Sequence, residues 1–122
     1  MEYVLIGFLS YLIGCFTAAY FIGKLYKVDV RMQGSGNPGT TNALRVLGAK
    51  AGIITLVLDA LKGVFACWLG SLIEPSMGAY VAATMVVLGH NFPFHLQFKG
   101  GKGVATSAGI LLYFSPLVLL LC

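Results

Sequence analysis

An all-α, polytopic transmembrane helix bundle with four spans is the expected architecture, on three observations. Hydrophobic residues make up 58% of the 122 and charged residues only 10%, whereas a soluble domain needs roughly a quarter of its residues charged to cover its surface. The apolar residues gather into four runs, each near the ~20 helical residues that cross a bilayer core. The few Lys and Arg lie between runs in a pattern that one membrane side accounts for. The same composition excludes a disordered chain and a disulfide scaffold. The net charge of +4 belongs to loops. No basic face with interleaved aromatics exists, so no nucleic-acid partner is expected.

The first run, Tyr3 to Gly23, has no internal charge. Glu2 precedes it and Lys24 and Lys27 follow, the reverse of a cleaved signal peptide. The second run, Ala51 to Ile73, contains Asp59 and Lys62, and Glu74-Pro75-Ser76 makes a turn after it. The third starts near Met77 and fades at His90, Asn91 and Pro93; the fourth is Val104 to Cys122. The expected spans are therefore about 3–25, 51–73, 76–94 and 104–122, in one membrane-integral domain over 1–122. Lys24, Lys27, Arg31, Arg45 and Lys50 share one connection, Lys99 and Lys102 another, and the turn at 74–76 has no Lys or Arg. The positive-inside rule then puts the N-terminus outside and both glycine-rich segments on the cytoplasmic face. The apolar ending at Cys122 suggests a fragment truncated at its C-terminus.

The first glycine-rich segment runs from Gly34 to Gly48 through Ser35, Gly36, Asn37, Thr41, Asn42 and Arg45. Its glycines and Pro38 force tight turns that let backbone N–H groups approach a ligand. Thr40 or Thr41 is expected to cap a short helix that Gly48 ends. Thr41, Asn42 and Arg45 share a face of that helix, with Leu44 and Leu47 facing lipid. An ordinary interfacial loop with a snorkelling Arg fits the composition equally well.

The second segment is Phe98-Lys99-Gly100-Gly101-Lys102-Gly103-Val104-Ala105-Thr106. Glycines surround Lys102 where the last helix begins, and a helix N-terminus favours phosphate. The Walker A spacing fails because Gly103, not Ser or Thr, follows the Lys. A flexible positive-inside loop is the plainer reading. Asp59 and Lys62, three apart on one helical face, are expected to pair with each other or to line a polar cavity, with an internal ion pair the plainer reading against a direct substrate role. His90 is a candidate proton acceptor, with a hydrogen-bonded structural His as the plainer alternative. His90 and His95 have no carboxylate or Cys nearby in sequence, so no metal site is expected. Cys15, Cys67 and Cys122 each lie in an apolar run and are expected to pack as small hydrophobes. A His-four-residues-Asp acyltransferase motif is absent, since position 95 is His and position 100 is Gly.

Four stretches together are specific: Ser-Gly-Asn-Pro-Gly-Thr-Thr-Asn-Ala-Leu-Arg from Ser35, Asp-Ala-Leu-Lys-Gly from Asp59, Gly-His-Asn-Phe-Pro from Gly89, and Lys-Gly-Gly-Lys-Gly-Val-Ala-Thr from Lys99. In order and spacing the chain resembles the bacterial membrane-integral acyl-phosphate:glycerol-3-phosphate acyltransferases. The resemblance implies a bundle of seven helices, of which this chain supplies about four. It implies transfer of a fatty acyl group from acyl phosphate to the 1-position of glycerol 3-phosphate, giving lysophosphatidic acid in phospholipid synthesis at the bacterial inner membrane.

By that resemblance Ser35, Arg45 and Lys102 are catalytic. The resemblance makes Gly100, Gly101, Gly103 and Thr106 part of the glycerol-phosphate site, and from the residues themselves Gly36, Asn37, Thr41, Asn42 and His90 are further expected to bind substrate. A third motif, with a His and an Asn, has no counterpart here. Acyl phosphate is already activated, so the chemistry requires no ATP, CoA, metal or other cofactor, and no obligate protein partner is implied. What it requires is neutralisation of two anions and orientation of a hydroxyl. The alternative is a fragment of a small transporter or channel for phosphorylated anions, which would also use glycine turns and helix N-termini, though nearer midplane.

Overall fold

The computed structural model describes residues 1–115, and the described residues hold helices and turns with no strand. The helices are α1 (Glu2–Cys15), α2 (Ala18–Leu25), α3 (Thr40–Leu47), α4 (Ala49–Ile73), α5 (Gly78–Asn91) and α6 (Val104–Phe114), with 3₁₀ turns at Val30–Met32 and Phe94–Leu96. Glu2–Leu25 and Ala49–Ile73 are each long and apolar enough to cross a membrane. α5 has 14 residues, about 21 Å of helix. Part of the run expected over 104–122, including Pro116 and Cys122, lies outside the described residues.

The first run is not the single helix its hydropathy suggested. Phe16 and Thr17 are extended, at φ −64°, ψ 109° and φ −103°, ψ 94°, and they separate α1 from α2. Such a break frees carbonyls, which a bilayer tolerates only where protein donors meet them. Lys62 Nζ donates to the carbonyls of Gly14 (3.1 Å) and Phe16 (2.7 Å). His95 Nε2 lies 2.7 Å from the carbonyl of Cys15, which also accepts from Thr17 Oγ1 at 3.0 Å. Apart from Thr17 the donors come from α4 and from the turn after α5, so the first run by itself does not announce the break.

Small residues bring the long helices together, as expected where lipid removes the hydrophobic drive between helices. A Cβ on Gly14 of α1 would strike the carbonyl of Val86 on α5. Likewise a Cβ on Gly70 of α4 would meet Gly78 of α5, and one on Gly109 of α6 would meet the backbone of Ala60 on α4. Around these contacts Ile6, Ala66, Ala82 and Val86 form the buried core. A smaller cluster of Ala19, Val30 and Ala43 ties α2 and α3 to the 3₁₀ turn, and Leu47 packs against it rather than facing lipid. Phe8, Ile53, Trp68 and Leu72 stay exposed on the outer faces of the bundle, which suits a lipid-facing surface. Cys15 and Cys67 are buried and free.

At the end away from the glycine-rich segments, Glu74 organises the α4–α5 turn. Its carboxylate accepts from Ser76 Oγ, from the Met77 N–H at 2.7 Å and from the Tyr3 hydroxyl at 3.1 Å. These bonds, first among them that from Ser76, hold its pKa at about 2.

Two predictions follow from this packing. Gly109→Ala forces α4 and α6 apart at a backbone contact and should lower stability by about 1–3 kcal/mol, read from unfolding in detergent. The second concerns pH. A carboxyl whose pKa is depressed on folding contributes stability that is complete above its unfolded value, near 4.5, and lost as pH falls through about 2. Glu74→Gln should therefore be less stable than the parent at neutral pH, with the gap closing across that window.

Candidate functional site

At one end of the bundle four stretches of chain enclose a cavity of about 410 Å³. One wall is the loop and helix holding Ser35, Asn37, Thr41, Asn42 and Arg45; another is Lys102 to Ala105; the inner wall is Leu56 and Asp59 of α4 with His90 of α5. Asp59 is the eleventh residue of α4, so the cavity reaches about 15 Å along that helix.

The loop before α3 is held open by Asn42. Its Nδ2 donates to the carbonyls of Val30 (2.9 Å) and Gln33 (3.2 Å), and its Oδ1 accepts from the Ser35 N–H at 3.0 Å. Both ends of the amide are thus occupied. Asn42 therefore braces the cavity wall that it also lines. Gly34 and Gly36 take positive φ, at 54° and 77°, which non-glycine residues disfavour. Ser35 Oγ accepts from the Asn37 N–H at 3.3 Å, leaving its own proton free to donate. The residue before α3 is Gly39, and no side chain caps the helix, so the expected Thr cap is absent. Thr40 and Thr41 instead sit in the first turn at the cavity, and Gly48 ends the helix as expected.

The second glycine-rich segment divides into two roles. The N–H of Gly100 donates to the carbonyl of Asn91 (2.9 Å) and that of Gly101 to the carbonyl of His90 (3.1 Å). These two N–H groups close the end of α5. A Cβ on Gly101 would collide with His90 Nε2, and one on Gly100 with the carbonyl of His90. Gly101 is therefore glycine to admit the imidazole. The open N–H groups are those that begin α6 at Val104 and Ala105, which have no carbonyl one turn earlier. Gly103 precedes them at φ 79°.

Among the residues singled out from sequence, the cavity brings together Ser35, Asn37, Thr41, Asn42, Arg45, His90, Lys102 and Gly103. Gly36 and Gly100 line a neighbouring cavity of about 520 Å³ with Arg31 and Lys99. Gly101 and Thr106 stand behind the walls, and Thr106 is fully buried between α6 and α4.

Two helix N-termini, each carrying a partial positive charge, thus converge on one cavity with Arg45 and Lys102. Neither cation has an ion pair among the described residues, whereas Arg31 is held by a fork to Asp29 at 3.0 and 2.9 Å and stacks on Tyr20. That fork keeps the Asp29 carboxyl below its usual range. The expected Asp59–Lys62 ion pair is present at 3.2 Å. Asp59 also lines the cavity, as the alternative reading of the pair expected, whereas the contact of Lys62 Nζ with His90 Nδ1 at 2.7 Å was not legible in sequence. The only signal was that two charges sit mid-run. Among the described residues no three His, Cys, Asp or Glu side chains are grouped to hold a metal.

The model of the family described as glycerol-3-phosphate acyltransferase matches residues 4–122. A glycerol-3-phosphate acyltransferase of Thermoanaerobacter pseudethanolicus is 49% identical over 97% of this chain and 60% of its own length. Glycerol-3-phosphate acyltransferase 2 of Bacillus anthracis is 50% identical over 89% of this chain and 58% of its own. Among solved structures, the crystal structure of PlsY, an integral membrane glycerol 3-phosphate acyltransferase, superposes in its glycerol 3-phosphate form with a TM-score of 0.91 at 38% identity. It superposes in its lysophosphatidic acid form with a TM-score of 0.89. These matches cover 99% of this chain and 62% and 61% of the PlsY chains. The chain spans about 60% of the length of the relatives it matches. On the extent of these matches, the chain belongs to the glycerol-3-phosphate acyltransferase family.

Proposed function

We propose that this chain is the greater part of an enzyme that transfers a fatty acyl group from acyl phosphate to the 1-hydroxyl of glycerol 3-phosphate, giving lysophosphatidic acid. The observation that carries the reading is the convergence of two helix N-termini, Arg45 and Lys102 on one cavity. Both substrates bear phosphate, and two dianions approach each other only where positive charge and N–H dipoles offset their repulsion. The acyl chain runs between apolar helices while its phosphate stays in the cavity.

In the reaction the hydroxyl oxygen attacks the acyl carbonyl, the bond from that carbon to the phosphate oxygen breaks, and an ester forms. The proton of the attacking hydroxyl passes to the departing phosphate, which balances the step without a protein base or a cofactor. Ser35, with its proton free, orients a substrate oxygen. Arg45 holds a phosphate through its planar fork, and Lys102 with the start of α6 holds the other. Gly103, Thr41 and Asn37 shape the walls.

Four spans in the bacterial cytoplasmic membrane, with the N-terminus outside, put the cavity at the cytoplasmic face, where phosphorylated substrates arise. The seven-helix architecture and third motif implied by the family belong to the length of the relatives that this chain does not span. They would close the cavity on its open side.

The decisive assay is acyl transfer from radiolabelled acyl phosphate in a chain of the relatives' full length. Lys102→Ala should raise the KM for glycerol 3-phosphate about tenfold or more, as expected for a charged hydrogen bond. Arg45→Lys keeps the charge and loses the fork, and should lower turnover by a similar factor. Unchanged kinetics in both would defeat the proposal. Transport without acylation, measured as glycerol 3-phosphate uptake into vesicles, would replace it with the transporter reading. Orientation is tested separately: cysteines placed at Lys50 and Lys99 should react with impermeant thiol reagents from the cytoplasmic side alone.

A further inference from the structure

Lys62 is 6% exposed, and its Nζ sits among four acceptors: the Gly14 and Phe16 carbonyls, His90 Nδ1 and, at 3.2 Å, the Asp59 carboxylate. An ammonium has three protons and no lone pair. The Asp59 carboxylate lies 3.2 Å away with both side chains buried, and this charge partner keeps the nitrogen as the ammonium. Its three protons are directed to Gly14, Phe16 and His90. Asp59 is left as a charge partner without an aligned proton, which accounts for Asp59 Oδ1 being buried with no hydrogen bond.

The consequence falls on His90. Its Nδ1, 2.7 Å from an ammonium, must be the lone-pair nitrogen, so the ring proton is on Nε2. Nε2 lies against Gly101 and meets no protein acceptor among the described residues. The side chain is 98% buried yet contributes to the cavity wall. A ring with its proton on Nε2 and an ammonium on Nδ1 cannot serve as a base; it can donate.

We propose that Lys62 is a positioning residue that fixes His90 as the neutral Nε2–H tautomer, and that this N–H donates to a phosphate oxygen of a substrate in the cavity. The identity of that substrate rests on the function proposed above; the tautomer does not. The arrangement lets one buried cation act twice, holding the broken helix and aiming a neutral donor beside Arg45 and Lys102.

The test uses the full-length protein with ¹⁵N-labelled histidine, the His90 signals being assigned by their loss in His90→Gln. At neutral pH the expected spectrum is that of a neutral ring protonated at Nε2, and the Nε2 signal should shift when glycerol 3-phosphate or inorganic phosphate is added. A ring protonated at Nδ1, or a doubly protonated ring, would overturn the proposal even if acyl transfer were confirmed. Conversely, the Nε2–H form with a phosphate-induced shift would sustain it in a protein that showed no acyl transfer.

Kinetics give the second arm. His90→Phe, which fills the space without a donor, should raise the KM for glycerol 3-phosphate or for acyl phosphate about tenfold or more; which KM moves identifies the phosphate. His90→Gln keeps a donor and should lose about threefold. Equal loss in both, or no rise in either KM, would overturn the proposal. In Asp59→Asn combined with Lys62→Met, which strands no charge, the ring should redistribute between tautomers. A purely structural Lys62 would lower stability and leave the tautomer unchanged. If that variant does not fold, the wild-type spectrum decides.

Discussion

The ammonium group of Lys62 joins three helices that the chain visits at separate times. It meets the freed carbonyls between α1 and α2, the carboxylate of Asp59 on its own helix and the imidazole at the end of α5. A lone charge at this depth costs several kcal/mol, and the extended residues at Phe16 and Thr17 would each leave backbone groups bare in lipid. Together the two liabilities cancel: the cation needs acceptors and the break supplies them. The pairing also fixes how α2 leaves α1, and so where α2 and the 3₁₀ turn meet α3 through Ala19, Val30 and Ala43.

The cavity is built with dipoles as well as charges. Of the eight Lys and Arg residues in the sequence, two line it, Arg45 and Lys102. The starts of α3 and α6 add N–H groups whose partial charges are fixed in direction and need no counter-ion. Backbone donors of this kind orient an anion without the deep well that several full charges would make. Glycine is needed here for two distinct reasons. At Gly34, Gly36 and Gly103 it allows positive φ. At Gly100 and Gly101 it lets the loop lie against the end of α5, with two N–H groups closing that helix and the imidazole of His90 in the space of a side chain.

Much of the plan could be read from the residues in order. Composition and four apolar runs indicate a membrane bundle, because lipid demands long unbroken apolar segments. The positions of Ser35, Arg45 and Lys102 beside glycines point to anion binding, and Gly48 marks the end of α3, because these are local properties of a few neighbouring residues. The ion pair of Asp59 and Lys62 was legible for the same reason, being three apart on one helix.

What could not be read depends on groups far apart in the chain. The break at Phe16 and Thr17 has one local donor, the Thr17 hydroxyl, but relies on Lys62 and His95 from distant segments. Asn42 looks like a free amide on a helix face until Val30, Gln33 and Ser35 fold back onto it. Gly101 looks like part of a phosphate loop until His90 packs against it, and Leu47 looks lipid-facing until α2 arrives. Hydropathy and spacing describe what a segment offers. Which partner each polar group finds is settled when distant segments meet, because in an apolar medium an unpaired donor or acceptor is too costly to leave.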